Sequence, residues 1–376
     1  MVEDPIARLQ REDWFKAGDE HVSASRDAAL KGDLRELRRL WRQKVKWHPA
    51  ACTCAAVRGH LNCLKYLHEH GSSWDEEACK LAAQEGHLNC LKYLHEHGCP
   101  WDEDACDAAT IHGHLDCLKY LHEHGCPWDE YACAEAASNG HLDCLKYLHE
   151  NGCPWNKETC KYAAWFGHLD CLKYAHENRC PWDEEACRYA AKGGHLDCLK
   201  YAHENGCPWD AGTCAGAAEI GQLACLKYAH EHGCPWDEEA CARAAIDGRL
   251  DCLKYLHEHG CPWDEDACDG AAKEERIDCL RYLLVNGCPL SPGNLFPLVC
   301  KDAFKNNGIA DALVRRYRES IGIQPPVRDD VQSFMAIVDE VKESIPDGAY
   351  MHISKKLKQM YENADDSYDD SDDDSE

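Results

Sequence analysis

The sequence predicts an all-α fold: a helical-repeat solenoid of about ten helix pairs with a short helical C-terminal extension. Three observations carry this prediction. Glycines recur every 27 residues at Gly32, Gly59, Gly86, Gly113, Gly140, Gly167, Gly194, Gly221 and Gly248, and a tenth unit continues with Glu275 in the glycine slot. Tryptophans keep the same interval through Trp47, Trp74, Trp101, Trp128, Trp155, Trp182, Trp209, Trp236 and Trp263. Between these markers the apolar residues follow the spacing of two short helices rather than strand alternation.

Residues 1–23 are polar and read as a loose N-terminal segment before a repeat region at 24–290. The first unit, ASRDAALKGDLRELRRLWRQKVKW, keeps a small-residue first helix, Gly32 and Trp47. Its second helix carries Arg35, Arg38, Arg39 and Arg42 on one face. That suits the polar outer face of a terminal capping repeat; the same stripe would also suit phosphate or acidic peptide.

The unit from Trp101 to Gly125 shows the full pattern. Asp102 is placed to cap a helix, and Glu103 and Asp104 put negative charge in its first turn. Ala105 to Ile111, rich in Ala and Cys, form that short helix, and their small side chains let a second helix approach closely. Gly113 breaks the chain. Leu115, Cys117, Leu118 and Leu121 mark the apolar face of the second helix, which Gly125 ends in the left-handed conformation. Cys126-Pro127-Trp128 leads on as an extended link, because Pro has no N–H to donate. Each unit is therefore two antiparallel helices and a tight connector. A leucine-rich repeat has a similar period, but its strand of closely alternating leucines is missing.

The period stops after Pro289. Residues 295–318, 328–345 and 350–362 are expected to be helices of an extension at 291–362, the second with an apolar stripe through Val331, Phe334, Ile337, Val338 and Val341. The segment 363–376 is expected to be a disordered acidic tail. The last sixteen residues, YENADDSYDDSDDDSE, hold nine Asp and Glu and no Lys or Arg. Ser367, Ser371 and Ser375 sit among those acids as acidophilic kinase sites do.

The net charge of −27 argues against nucleic acid as a partner, since phosphate contacts need clustered Lys and Arg. No run of about 18 apolar residues occurs, so no membrane span is expected. The charged start MVEDPIARLQREDWFK lacks the apolar run of a signal peptide. The 28 cysteines raise the question of a disulfide scaffold or a zinc protein. Most units carry three, an odd number that cannot all pair within one unit, so we expect reduced thiols in the cytosol or nucleus. No P-loop, nucleophile elbow, HExxH or GxGxxG is present. Residues repeated ten-fold are not the unique constellation that catalysis needs. We expect no enzyme, no cofactor, no metal, and a monomer.

The stretch EACKLAAQEGHLNCLKYLHEHG at 77–98 resembles an ankyrin repeat, whose usual pattern is TPLHxAAxxGHLxVVKLLLxxGAD. The AA pair, the GHL turn, the Lys after two apolar residues and the closing Gly fall in register, and the resemblance recurs ten times over residues 24–290. Ankyrin units run to about 33 residues. The residues missing here match the β-hairpin finger, CPWDE stands in its place, and EACK replaces TPLH. The resemblance implies a stack of helix pairs that binds a protein or peptide, with the first helices lining a concave partner face. It also implies core slots for Cys106, Cys117 and Cys126, where ankyrins place Leu, Val and Ala. The tryptophans, including Trp101, Trp128, Trp155, Trp182, Trp209 and Trp236, fall in an apolar slot between units and are expected to be structural core there. Two chemistries compete with buried thiols: metal binding through sets such as His122, Cys126 and Cys133, and redox sensing.

His68, His95, His122, His149, His176, His203, His230 and His257 form a further ladder, in a slot where ankyrins commonly carry Leu. A partly exposed, hydrogen-bonded column is expected, with pH sensitivity as the sharper alternative. Ala175, Ala202 and Ala229 replace Leu in three neighbouring units, which would tighten the helices or follow from block duplication.

Variation collects on the first helices. After the EAC cysteine come Lys80, Asp107, Ala134, Lys161, Arg188, Ala215, Ala242 and Asp269. One further on come Leu81, Ala108, Glu135, Tyr162, Tyr189, Gly216, Arg243 and Gly270. A buried site does not accept Lys, Asp, Ala and Tyr in turn, so these positions are expected to face water or a partner. Drift among copied units would also vary exposed positions, but aromatic residues clustered across two adjacent units suggest contact. The expected partner groove centres on Tyr162, Trp165, Phe166, Tyr189 and Ile220, with Ile111 and His112 as further contacts. The function expected is a non-catalytic scaffold for a protein or peptide. Its rivals are a substrate-recognition adaptor docked through the C-terminal segment and a thiol-rich metal or redox protein.

Overall fold

The computed structural model describes residues 20–129 and 131–289. Residues 1–19, the helices expected at 295–318, 328–345 and 350–362, and the acidic tail with its serines lie outside the described residues. Residues 20–23, expected to be loose, instead open the first helix.

Every described element is an α-helix, and no strand occurs among the described residues. The described residues fall into two compact units, 20–190 with 197–207, and 191–196 with 208–289. The first holds seven helix pairs: α1 (Glu20–Lys31) with α2 (Leu34–Arg42), α3 (Ala51–Val57) with α4 (Leu61–Glu69), α5 (Glu76–Gln84) with α6 (Leu88–Glu96), α7 (Glu103–Ile111) with α8 (Leu115–Glu123), α9 (Ala132–Ser138) with α10 (Leu142–Glu150), α11 (Lys157–Trp165) with α12 (Leu169–Glu177), and α13 (Glu184–Gly193) with α14 (Leu196–Glu204). The last residues of α13 and the first of α14 count with the second unit. That unit holds three pairs: α15 (Ala211–Ile220) with α16 (Leu223–Glu231), α17 (Glu238–Ile246) with α18 (Leu250–Glu258), and α19 (Glu265–Lys273) with α20 (Ile277–Val285). Within each unit, first helices pack against first helices and second against second.

Apart from α1, with its 12 residues, these helices are shorter than the roughly 12–15 residues an isolated helix needs in water, so stacking must sustain them. In pair four, Ala105, Cys106, Ala108, Ala109 and Thr110 of α7 are buried, as are Cys117, Leu118 and Leu121 of α8. The Thr110 hydroxyl donates to the Cys106 carbonyl at 2.9 Å, satisfying a buried polar group within its own helix. Ala175, Ala202 and Ala229 are as fully buried as the leucines they replace.

Both helices of a pair end alike. The Gly113 and His114 N–H groups donate to the Thr110 and Ala109 carbonyls at 3.2 and 2.8 Å, closing the last turn of α7. Gly125 and Cys126 do the same to His122 and Leu121 at 3.0 Å each. This closure needs a left-handed residue, and Gly113 and Gly125 supply it at φ +76° and +82°.

Two sequence expectations change at this level. Helix α7 begins at Glu103 rather than Ala105, and Asp102 makes no side-chain capping bond. Asp102 works through its backbone instead: its carbonyl accepts from the Ala105 N–H at 3.2 Å and from the Cys126 thiol at 3.1 Å. The tryptophans do not enter the leucine core. Trp101, Trp128, Trp155, Trp182, Trp209 and Trp236 are half-buried, because each lies along the surface over a histidine or tyrosine ring.

Candidate partner-binding site

The constant residues make a recurring joint between pairs. The His95 ring stacks on Trp101 at 3.9 Å and is hydrogen-bonded through Nδ1 to the Tyr120 hydroxyl of the next pair at 3.0 Å. Trp101 meets the same tyrosine edge-on at 6.2 Å, and Lys92 Nζ lies 5.4 Å over its ring. Thus Lys92, His95 and Trp101 of one pair grip Tyr120 of the next. The grip recurs as Lys119, His122 and Trp128 around Tyr147, and as Lys146, His149 and Trp155 around Tyr174. The tyrosine was the member sequence reasoning missed, although Tyr93, Tyr120, Tyr147 and Tyr174 keep the same 27-residue clock. Its signal lay in the period, not in any local motif.

The thiols are occupied with the fold. Cys126 Sγ donates to the Asp102 carbonyl at 3.1 Å, and Cys106 Sγ donates to the Cys126 carbonyl at 3.9 Å. All described cysteines are free and buried. The neighbouring Cys126 and then burial push the Cys106 thiol far up, and burial pushes Cys117 up to about 12. Such thiols stay protonated near neutral pH, where a thiolate is the reactive form. His122, Cys126 and Cys133 do not form one set. His122 binds Tyr147, Cys126 binds the Asp102 carbonyl, and Cys133 binds the Cys153 carbonyl at 4.0 Å. Among the described residues no three His, Cys, Asp or Glu side chains converge as metal ligands.

The variable positions separate by size. Leu81, Ala134, Ala215 and Ala242 are buried, contrary to the expectation that this whole set faces outward. Short or apolar side chains there tuck between neighbouring first helices. The long charged ones reach across instead: in the first unit Lys80 pairs with Asp104 at 2.6 Å and Lys161 with Glu185 at 3.7 Å. In the second unit Glu219 takes both Lys192 and Arg243, each at 2.6 Å.

The aromatic residues of α11 and α13 come together. Thr159, Cys160, Ala163 and Ala164 bury one face of α11, which leaves Lys161, Tyr162 and Trp165 on the other. The Trp165 ring lies 4.5 Å from Tyr189 of α13, 5.4 Å from Phe166 and 6.3 Å from Tyr162. Phe166 is 50% exposed. Lys161 sits at the centre, its Nζ 4.9 Å over Tyr162 and 5.4 Å over Tyr189, paired with Glu158 and with Glu185 at 3.7 Å. Burial works to lower its pKa, but the bond to Glu158 and the charges of Glu158 and Glu185 outweigh it, so the ammonium is held above its ordinary value. The result is a stacked aromatic slab, half-buried except at Phe166, with an ion-paired lysine against its rings. Of the other expected contacts, Ile111 is half-buried and His112 exposed at the end of α7, two pairs earlier in the chain. Ile220 is exposed and belongs to the second unit.

A family model for ankyrin repeats (3 copies) matches residues 79–159 and 105–174, and one for ankyrin repeats (many copies) matches 52–95 and 160–203. Residues 52–203 therefore carry ankyrin repeats. They are the short form, a helix pair and connector of 27 residues with no strand among the described residues. Proteins with ankyrin repeats generally act through protein–protein interaction. Among solved structures, the human ASB11 ankyrin repeat domain is similar at 21% identity and a TM-score of 0.37, over 42% of this chain and 84% of that one. The comparison with curated proteins finds no match. No described helix is long and apolar enough to cross a membrane.

Proposed function

We propose that the chain is a non-catalytic scaffold that binds a protein or peptide partner on its first-helix face. The anchor of that contact is Tyr162, Trp165, Phe166 and Tyr189. The observation that supports this most is the pre-stacked aromatic slab on two adjacent first helices, half-buried at Tyr162, Trp165 and Tyr189 and exposed at Phe166, while the repeated residues are spent on joints. Aromatic side chains with few free rotations are favoured anchors, and their mutual stacking lowers the ordering cost of binding. Ile111 and His112 are the flanking contacts of the same reading. The net charge of −27 favours protein over nucleic acid as the partner. Free, buried thiols suit a reducing compartment, the cytosol or nucleus.

The test is proximity labelling and co-purification with the wild-type chain and with Trp165→Ala/Phe166→Ala, the folded state of both confirmed by unfolding. A partner captured by the wild type and lost from the double variant supports the reading. An unchanged set of captured proteins refutes it.

A further inference from the structure

We propose that a basic, tryptophan-walled pocket beside α2 is the docking site of the chain's own acidic tail, residues 361–376. The pocket has a volume of about 680 Å³, lies wholly within the first unit, and is lined by Trp41, Arg42, Lys44, Lys46, Trp47 and Ser73 among others. Among the described residues no Asp or Glu lines it, in a chain whose acids outnumber Lys and Arg by 68 to 41.

Its walls are held in place. Trp41 and Trp47 stack at 5.7 Å, Trp41 meets His70 edge-on at 4.8 Å, and Trp47 Nε1 donates to the His70 carbonyl at 3.0 Å. Trp41 nevertheless stays 42% exposed, and Arg42, Lys44 and Lys46 are all exposed. Arg39, one turn before Arg42 on the same helix, is paired with Glu36 at 2.7 Å. Lys44 occupies the left-handed position, φ 58°, that glycine takes after most second helices, as Arg179 does once more. A side chain with a Cβ is strained there, so this connector gives up an easier residue for a cation.

The pocket is not a by-product of repetition. Later connectors read CPWDE or close variants of it, whereas this one reads QKVKWHPA, and Ser72-Ser73 replaces Cys-Pro in the next. None of the three cations belongs to the joint that explains the repeated residues.

Charge complementarity names the occupant. The tail carries nine Asp and Glu with no Lys or Arg, and Tyr361 and Tyr368 offer rings to the tryptophan walls. Hydrogen bonds between cationic side chains and carboxylates are stronger than neutral ones, and a tethered segment acts at high effective concentration.

The experiment titrates a fluorescent 361–376 peptide into the full chain and into a chain ending at residue 360. Saturable binding to the shortened chain is expected, weaker by about tenfold or more in the full chain, where the tethered tail competes. It should vanish near about 0.5 M salt. Lys44→Glu with Lys46→Glu should weaken peptide binding to the shortened chain about tenfold at an unchanged unfolding midpoint. The same peptide with its seven aspartates replaced by asparagine should not bind. No binding to the shortened chain, equal binding to both chains, or retention by the charge-reversed variant would each overturn the proposal. Binding that emerges only once residues 1–19 are also removed would overturn it too, by giving the pocket to the N-terminal segment.

Discussion

Tyr147 shows what a single repeated residue does. Its hydroxyl is hydrogen-bonded to His122 of the preceding pair at 2.9 Å. Tyr147→Phe deletes that bond alone and should cost about 1 kcal/mol, read as a lower denaturant midpoint. Trp155 is half-buried, stacked on His149 at 3.7 Å. Trp155→Ala should therefore cost about 2–3 kcal/mol, less than a fully buried tryptophan would. The histidine column adds a dependence on pH. Burial, and then the His124 imidazole, hold His95 below its ordinary pKa, with Glu96 acting more weakly the other way. His68 facing His97 and His230 facing His259 are lowered in the same manner. The unfolded chain thus takes up these protons first on acidification. Stability is full above the ordinary histidine pKa of about 6.5 and is lost as pH falls through it. The unfolding midpoint should fall between about pH 7.5 and 5.5, and His124→Asn, the residue the next pair carries at Asn151, should shrink that fall. An unchanged midpoint across this range would exclude the effect.

At the scale of the element, the helix ends are where the repeat departs from its own rule. Arg179 holds a left-handed backbone, φ 67°, where most second helices end in glycine. Arg179→Gly should raise stability by about 0.5–1 kcal/mol, since glycine takes that conformation without a steric penalty. A lowered midpoint would mean that the arginine side chain holds the turn. The helix pairs themselves were legible in the sequence because glycine, leucine and tryptophan keep one clock, and the clock fixes element length and order. The Asp102 cap was not, because an Asp before a helix reads alike whether its side chain or its carbonyl does the bonding. The surface position of the tryptophans was hidden for a related reason: an apolar residue in a regular slot looks like core until its histidine and tyrosine partners are placed. The split among variable positions had a readable cause in side-chain length. The meeting of Trp165 with Tyr189 followed from their positions on adjacent first helices, whereas the cation beneath them, Lys161, did not stand out from other lysines.

At the scale of the whole molecule, the proposed function divides the residues of the repeat between two tasks, holding neighbours and meeting a partner. Every described cysteine is buried, so an alkylating reagent should label the native described thiols slowly and the unfolded ones at once. Fast labelling of many thiols in the native state would favour a redox or metal-handling chain instead. The division of tasks is tested most directly by measuring partner affinity and unfolding midpoint together, for Trp165→Ala/Phe166→Ala and for Tyr147→Phe. The aromatic double variant should lose affinity by about tenfold or more with a nearly unchanged midpoint, and Tyr147→Phe should lower the midpoint and leave affinity in place. Unchanged affinity in the double variant, or a midpoint that tracks the aromatic slab and not the joint, would contradict that division.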